Sequence, residues 1–172
     1  PAEGGPSIIG GTQATSIDVG PYGATIAGGG RPDEPNTISG EGEWYAIGGG
    51  LANTASGRFS TIAGGAGNTA GGAASTVLGG EVNSALGPGS VVGGGTENAA
   101  EGLFSTVAGG ANNLAPGNSS MVPGGFGNEA NGDFSFAAGR QAIAAHDGSF
   151  VWADDTPQDF SSTAQRQFLI RA

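Results

Sequence analysis

A fifteen-residue repeat constrains this chain more than any other feature of its sequence. From Tyr45 the register reads YAIGGGLANTASGRF, STIAGGAGNTAGGAA, STVLGGEVNSALGPG, SVVGGGTENAAEGLF, STVAGGANNLAPGNS and SMVPGGFGNEANGDF, with no insertion or deletion. A degenerate seventh copy, SFAAGRQAIAAHDGS, follows, and FVWAD opens an eighth. A short fixed period means that each copy is one structural rung. Such a rung cannot bury a core alone and must stack on its neighbours. The expected molecule is a rod of rungs.

Numbering each copy from its Ser or Tyr, position three is β-branched in the six regular copies: Ile47, Ile62, Val77, Val92, Val107 and Val122. It then becomes Ala137 and Trp152. Positions one to four suit a short strand with alternating faces. The glycines at positions five and six supply a tight turn after it. Position nine is Asn53, Asn68, Asn83, Asn98, Asn113 and Asn128; position eleven is Ala55, Ala70, Ala85, Ala100, Ala115, Ala130 and Ala145. Position thirteen is Gly57, Gly72, Gly87, Gly102, Gly117 and Gly132. A rung therefore reads strand, turn, second short strand around N-x-A, turn. That is one coil of an all-β solenoid.

Stacking gives these positions their meaning. Equivalent residues of successive coils lie about 4.8 Å apart. The six asparagines can then pass amide hydrogen bonds from coil to coil as a structural ladder. Alanine at position eleven marks a place too tight for a larger side chain. Positions seven, eight, ten, twelve, fourteen and fifteen vary and hold Arg58, Glu81, Glu97, Glu101, Glu129 and Asp133, so they face outward or toward another subunit. A coil this thin has almost no interior and calls for oligomerisation. Phe59, Phe104 and Phe134 at position fifteen are candidate contacts of a subunit interface. The competing expectation is that each ring covers an edge of its rung.

Three segments follow from the periodicity. Residues 1–44 are irregular N-terminal coils with loop insertions, 45–154 the regular roll, and 155–172 an extended C-terminal connector. Ser7-Ile8-Ile9-Gly10-Gly11 and Thr25-Ile26-Ala27-Gly28-Gly29 match the STVAGG segment, spaced eighteen and then twenty-one residues from the next copy. The extra residues include Arg31-Pro32-Asp33-Glu34-Pro35 and Glu41-Gly42-Glu43-Trp44. They are either a binding face built of inserted loops or tolerated insertions. The start at Pro1 and the alternating stretch up to Ala172 read as cut edges of a longer polypeptide.

Composition excludes several functions. Net charge is −10 and all five basic residues are arginines, so no basic face exists for nucleic acid. Anionic membrane surfaces are disfavoured for the same reason, and no long apolar run predicts direct insertion. The absence of cysteine removes disulfides and thiolate metal sites. His146-Asp147 with Asp154-Asp155 lacks metal-ligand spacing and reads as a solvated turn. GGAGN (64–68) and GGFGN (124–128) differ in period and in their asparagine from calcium-binding glycine repeats. Asn118-Ser119-Ser120 fits the glycosylation sequon, at a frequency near chance in a chain this rich in Ser and Asn. No catalytic constellation, cofactor motif or metal set emerges, and an enzyme is not expected.

The units STIAGGAGNTAGG, STVLGGEVNSALG and STVAGGANNLAPG resemble the head repeats of bacterial trimeric autotransporter adhesins, over about 45–154 and more loosely 7–44. The chain departs from many such heads in having GG for IG and a strict fifteen for fourteen. The stretch FSFAAGRQAIAAHDGSFVWADD with FSSTAQRQFLIRA resembles the junction that leads such rolls into trimeric tail-fibre and chaperone modules, with Arg166 where Asn is common. The resemblance implies a left-handed parallel β-roll, a homotrimer, and an extracellular place on a bacterial surface or a virion tail fibre. It implies adhesion to host surface or matrix proteins or glycans, or else a purely structural shaft. A weaker third idea, ice binding, needs a flat threonine array that Val91 and Met121 interrupt.

Overall fold

The computed structural model describes residues 7–10, 16–18, 22–40 and 43–172. Gly11, Glu41 and Gly42 lie outside them. Among the described residues there is no helix. The chain forms a parallel β-solenoid of two facing sheets. One sheet stacks the strands around position three, such as Thr61–Ile62, Thr76–Val77, Val91–Val92 and Thr106–Val107. The other stacks the strands around position eleven, such as Thr69–Ala70, Ser84–Ala85 and Ala99–Ala100. Consecutive strands of a sheet are always one coil apart, and all these pairs are parallel. A third line of bridges runs through position seven, from Leu51 to Ala66, Glu81, Thr96, Ala111 and Phe126.

The interior follows the fixed positions of the repeat. Ile62, Val77, Val92, Val107 and Val122 are fully buried and face Ala70, Ala85, Ala100, Ala115 and Ala130, also fully buried. Position one adds a buried serine column, Ser60 to Ser135, headed by Tyr45. The hydroxyls of these six serines have no hydrogen-bond partner among the described residues. Burial pushes the Tyr45 phenol above its ordinary range, partly offset by nearby Arg58. Small residues on both sheets keep the coil thin, and the β-branched column suits a pleated strand.

Position-thirteen glycine has a reason other than a turn. A Cβ on Gly102 would lie 2.0 Å from the Gly117 carbonyl oxygen and 2.5 Å from its carbon. Gly72 and Gly87 meet the next coil in the same way. Successive backbones touch there, and no side chain fits between them. The turn glycine is position six, where Gly65, Gly80, Gly95 and Gly110 all have φ between 84 and 92°.

The seventh coil is one residue shorter than its sequence alignment suggests. Met121 pairs with Phe136, fifteen residues on, but Gly125 pairs with Gly139 and Glu129 with Ile143, fourteen on. One glycine of the pair is missing, so the bend becomes a continuous strand, Phe136–Arg140. Every later expectation shifts by one place. The buried position-eleven alanine is Ala144, and Ala145 is exposed. Position nine of the seventh copy counts to Ile143 in the sequence, but the ladder site is Ala142, whose N–H donates to Asn128 Oδ1 at 3.0 Å. Position three of the eighth coil is the buried Val151, which leaves Trp152 on the outer face.

The irregular ends also belong to the solenoid. Ile8 pairs with Thr25, seventeen residues on where the motif match suggests eighteen; Thr25 pairs with Ala46 at twenty-one. At the other end, the expected extended connector forms further strands. Phe160–Ser161 pairs with Ala142–Ala144, and Phe168–Arg171 pairs with Phe150–Ala153. The coil from Ser149 is lengthened to eighteen residues by the loop before Phe160, as the pairing of Phe150 with Phe168 requires.

Candidate functional site

Asparagine side chains are spent inside the fold. Asn83 Oδ1 accepts the Asn98 backbone N–H at 3.0 Å, while Asn83 Nδ2 donates to the carbonyls of Gly79 and Gly95 at 3.0 and 2.9 Å. Asn53, Asn68, Asn98, Asn113 and Asn128 repeat this pattern. The ladder is mainly side chain to backbone; amide-to-amide bonds occur at Asn53, Asn113 and Asn128. It has one more member, Asn36, whose Oδ1 accepts from the Asn53 N–H at 3.0 Å. The Asn-Thr-Ile run at 36–38 carries its signal, with Ile38 in the alanine place. The asparagines of the GGAGN and GGFGN segments, Asn68 and Asn128, belong to the same ladder and turn inward.

The candidate interface residues stand at strained corners. Phe59, Phe104 and Phe134 have φ of 62, 55 and 56° and are 47, 64 and 73% exposed. The left-handed region is unfavourable for a bulky residue, yet this corner also holds Trp44, Ala74 and Ser119 in the same conformation. The Phe104 ring lies against the preceding coil, so that a Cβ on Gly89 would be 2.5 Å from it. The Arg58 guanidinium sits 4.6 Å above the Phe59 ring and 3.5 Å from Glu43. The Phe104 ring thus covers a little of the neighbouring rung, and about half or more of each of the three residues stays exposed.

The acidic residues of the regular coils occupy corners and the outer face of the second sheet. Glu81, Glu97 and Glu101 are exposed; Glu97 has φ 55°, and Glu129 accepts from Asn131 Nδ2 at 2.9 Å. The insertion around Asp33 is closed by Arg31 and Glu34, whose backbones exchange hydrogen bonds of 3.2 and 3.1 Å. Their exposed side chains add an ion pair at 3.9 Å, a contact of small value. By contrast, positions two and four of the first sheet carry no charge among the described residues; Arg140 and Arg171 enter that sheet only at the ends of late strands. Its position-two residues run from Thr25 and Ala46 through Thr61, Val91 and Met121 to Phe168, and its position-four residues from Ala27 through Leu78 and Pro123 to Ile170.

His146 and its neighbours serve the coil stack. His146 Nδ1 is 2.9 Å from Ser162 Oγ. Asp147 Oδ1 accepts the Asp133 N–H at 2.9 Å, and Asp133 Oδ1 accepts the Asn118 N–H at 2.8 Å. This is a second, exposed ladder, and it engages the amide of the Asn118 sequon, whose Ser120 is buried. Asp154 is bound by Arg171, with Nε to Oδ1 at 2.8 Å, and Arg171 also reaches the carbonyls of Gln158 and Thr156. The guanidinium holds the Asp154 carboxyl below its usual range. Sequence reading missed this clamp, because its partners lie on a loop and on a strand with no repeat signal.

Neither the family models nor the curated proteins with which the chain was compared match it.

Proposed function

We propose that the chain is a non-enzymatic, extracellular display or adhesion element, the head-like part of a homotrimeric fibre with left-handed coils. The observation that carries this reading is the division of its surface. One long face, positions two and four of the eight coils from Thr25 to Ala138, is free of charge and ends where Arg140 joins the strand Phe136–Arg140, while the acidic residues lie at corners and on the other sheet. Eight coils at roughly 4.8 Å each make that face some 38 Å long. A second copy of the same solenoid matches its rung spacing, and burying such a face against copies compensates for the thin core. The acidic corners, Glu81, Glu97 and Glu101 with the Asp33-Glu34 loop, then meet a basic or polar partner on a host surface or matrix.

The test is charge reversal of Glu81, Glu97 and Glu101 on the assembled protein, with attachment to cells or matrix proteins as the readout. Weaker attachment, and salt sensitivity as expected for exposed charges screened over about 8–10 Å, supports display. Attachment that is unchanged, or absent in the unaltered protein, favours the rival reading of a structural shaft in a tail fibre or extracellular filament. One observation favours that rival: both sheets continue through Phe160–Ser161 and Phe168–Arg171 with no change of architecture.

A further inference from the structure

The repeat breaks where the seventh coil loses its glycine, and the break opens a groove. It is lined by Phe126, Arg140, Trp152, Asp154 and Asp155 with the backbone of Gly125 and Gly139, and its volume is about 520 Å³. That is within the range of small-ligand sites, roughly 300–1,000 Å³, which combine apolar walls with a few polar groups. None of its large side chains is required by the coil. The regular coils hold Gly, Ala, Leu or Pro at the place of Trp152, and Leu, Ala, Glu or Thr at that of Phe126. Phe126 and Trp152 are 49 and 38% exposed.

The polar groups are unevenly committed. Asp154 is neutralised by Arg171. Arg140 sits over the Phe126 ring at 5.9 Å, and its Nη1 reaches the Asp155 carbonyl only at 3.4 Å. Its Nε is buried without a partner among the described residues. The guanidinium therefore keeps most of its donor capacity, beside two aromatic rings and the exposed Asp155 carboxylate. A pyranose ring has the matching chemistry, with an apolar C–H face and a rim of hydroxyls that donate and accept. Aromatic residues with a polar neighbour suit a ligand that is half apolar and half wet.

We infer that the Phe126–Arg140–Trp152–Asp155 groove is a saccharide-binding subsite. One pyranose face lies on the aromatic side chains, Arg140 donates to a hydroxyl or a sugar carboxylate, and Asp155 accepts from a hydroxyl. This deepens the display reading and rests on it for biological meaning, but the binding itself is measured without cells.

The experiment uses the intact chain with methyl glucoside, methyl galactoside, N-acetylglucosamine and glucuronate at millimolar concentration. Saturation transfer from protein to sugar protons is followed by NMR, and Trp152 fluorescence is followed in a Trp44→Phe background. At least one sugar should receive saturation on its ring C–H protons. Trp152→Ala and Phe126→Ala should each weaken binding about tenfold, and Trp152→Phe less. Arg140→Gln should weaken glucuronate most if a carboxylate is the preferred contact, and all sugars equally if a hydroxyl is. Melting curves establish that each variant is folded. Two results overturn the inference: no transfer to any of the four sugars, or transfer that survives Trp152→Ala in a folded protein. A sedimentation change in Trp152→Ala with no sugar binding by the parent also overturns it, and assigns the groove to contact between copies. Sugar binding with failed cell attachment would leave the groove standing and remove the display reading.

Discussion

The side-chain oxygen of Asn68 accepts the backbone N–H of Asn83 at 2.9 Å, fifteen residues further along the chain. One side chain thus joins two coils through the main chain, and the same residue donates to the carbonyls of Gly64 and Gly80. Replacing Asn83 by Ala leaves the Asn98 N–H and two glycine carbonyls without these bonds. Each buried orphan costs about 1–3 kcal/mol, so Asn83→Ala should lower stability by at least that amount. Asn53 makes the same set of bonds; its position near the irregular end gives it no discount, and Asn53→Ala should cost as much. Asn118→Ala, in the exposed ladder, should cost about 1 kcal/mol or less, since water replaces its partners. Urea-unfolding midpoints compare the three. Equal, negligible losses would contradict a buried ladder.

The contact between Gly102 and the Gly117 carbonyl predicts a second, backbone-level effect. A methyl group on Gly102 must push two coils apart. Overpacking of this kind costs about 1–3 kcal/mol, and more where backbone atoms are the obstacle. Gly102→Ala should therefore be strongly destabilising, while Glu101→Ala next to it, on an exposed site, should stay within about 0.5 kcal/mol. Thermal melts of the pair check this, and equal melting temperatures would refute the tight approach.

Much of this was legible from period alone. Position three, the alanines of position eleven and the asparagine ladder follow from identical residues recurring at one spacing, because stacking makes equal environments. Register was not legible where a residue is lost. SFAAGRQAIAAHDGS keeps fifteen letters from serine to serine of the alignment, so the short coil from Ser135 to Ser149 is hidden. Only pairing with Glu129 reveals that Ala142 and Ala144, not Ile143 and Ala145, face inward. The connector was misread for a related reason: strands of two to four residues pair by stacking, and Phe160–Ser161 carries no alternation to announce itself. The groove at Trp152 was invisible, since it depends on the same one-residue shift.

The left-handed corner at Phe104 gives a prediction about assembly. A bulky residue at φ 55° costs about 1–2 kcal/mol of backbone strain, which asparagine at the same place largely avoids. The ring is mostly exposed, so its loss removes little packing within one chain. Phe59→Asn, Phe104→Asn and Phe134→Asn combined should thus leave the intrinsic stability of the chain unchanged or slightly raised. If the rings are subunit contacts, the same variant should dissociate at higher protein concentration than the parent. Sedimentation measures the second effect and unfolding at low concentration the first. A variant that assembles as well as the parent would place the interface elsewhere, with the uncharged sheet face as the remaining surface.

The Asp154–Arg171 clamp should make the last coils sensitive to acid. Its main cause is the hydrogen bond from Arg171, aided by bonds from Thr156. A carboxyl whose folded pKa is lowered binds protons less readily in the folded state. It contributes stability above its unfolded pKa of about 3.9, and loses that contribution as pH falls through the lower folded value. Arg171 remains charged throughout, so protonation of Asp154 is the only change at the pair. Asp154→Asn should therefore melt below the parent at neutral pH, and the gap should close as the pH drops below about 4. The loss should be local, because Arg171 ties the strand Phe168–Arg171 to the loop at Thr156 and Gln158. Amide exchange of residues 168–171 at pH 7 should rise in the variant, while that of the coils from Thr61 to Val107 should not. A gap that is constant with pH, or protection lost evenly along the rod, would show that the pair does not hold the terminal coil.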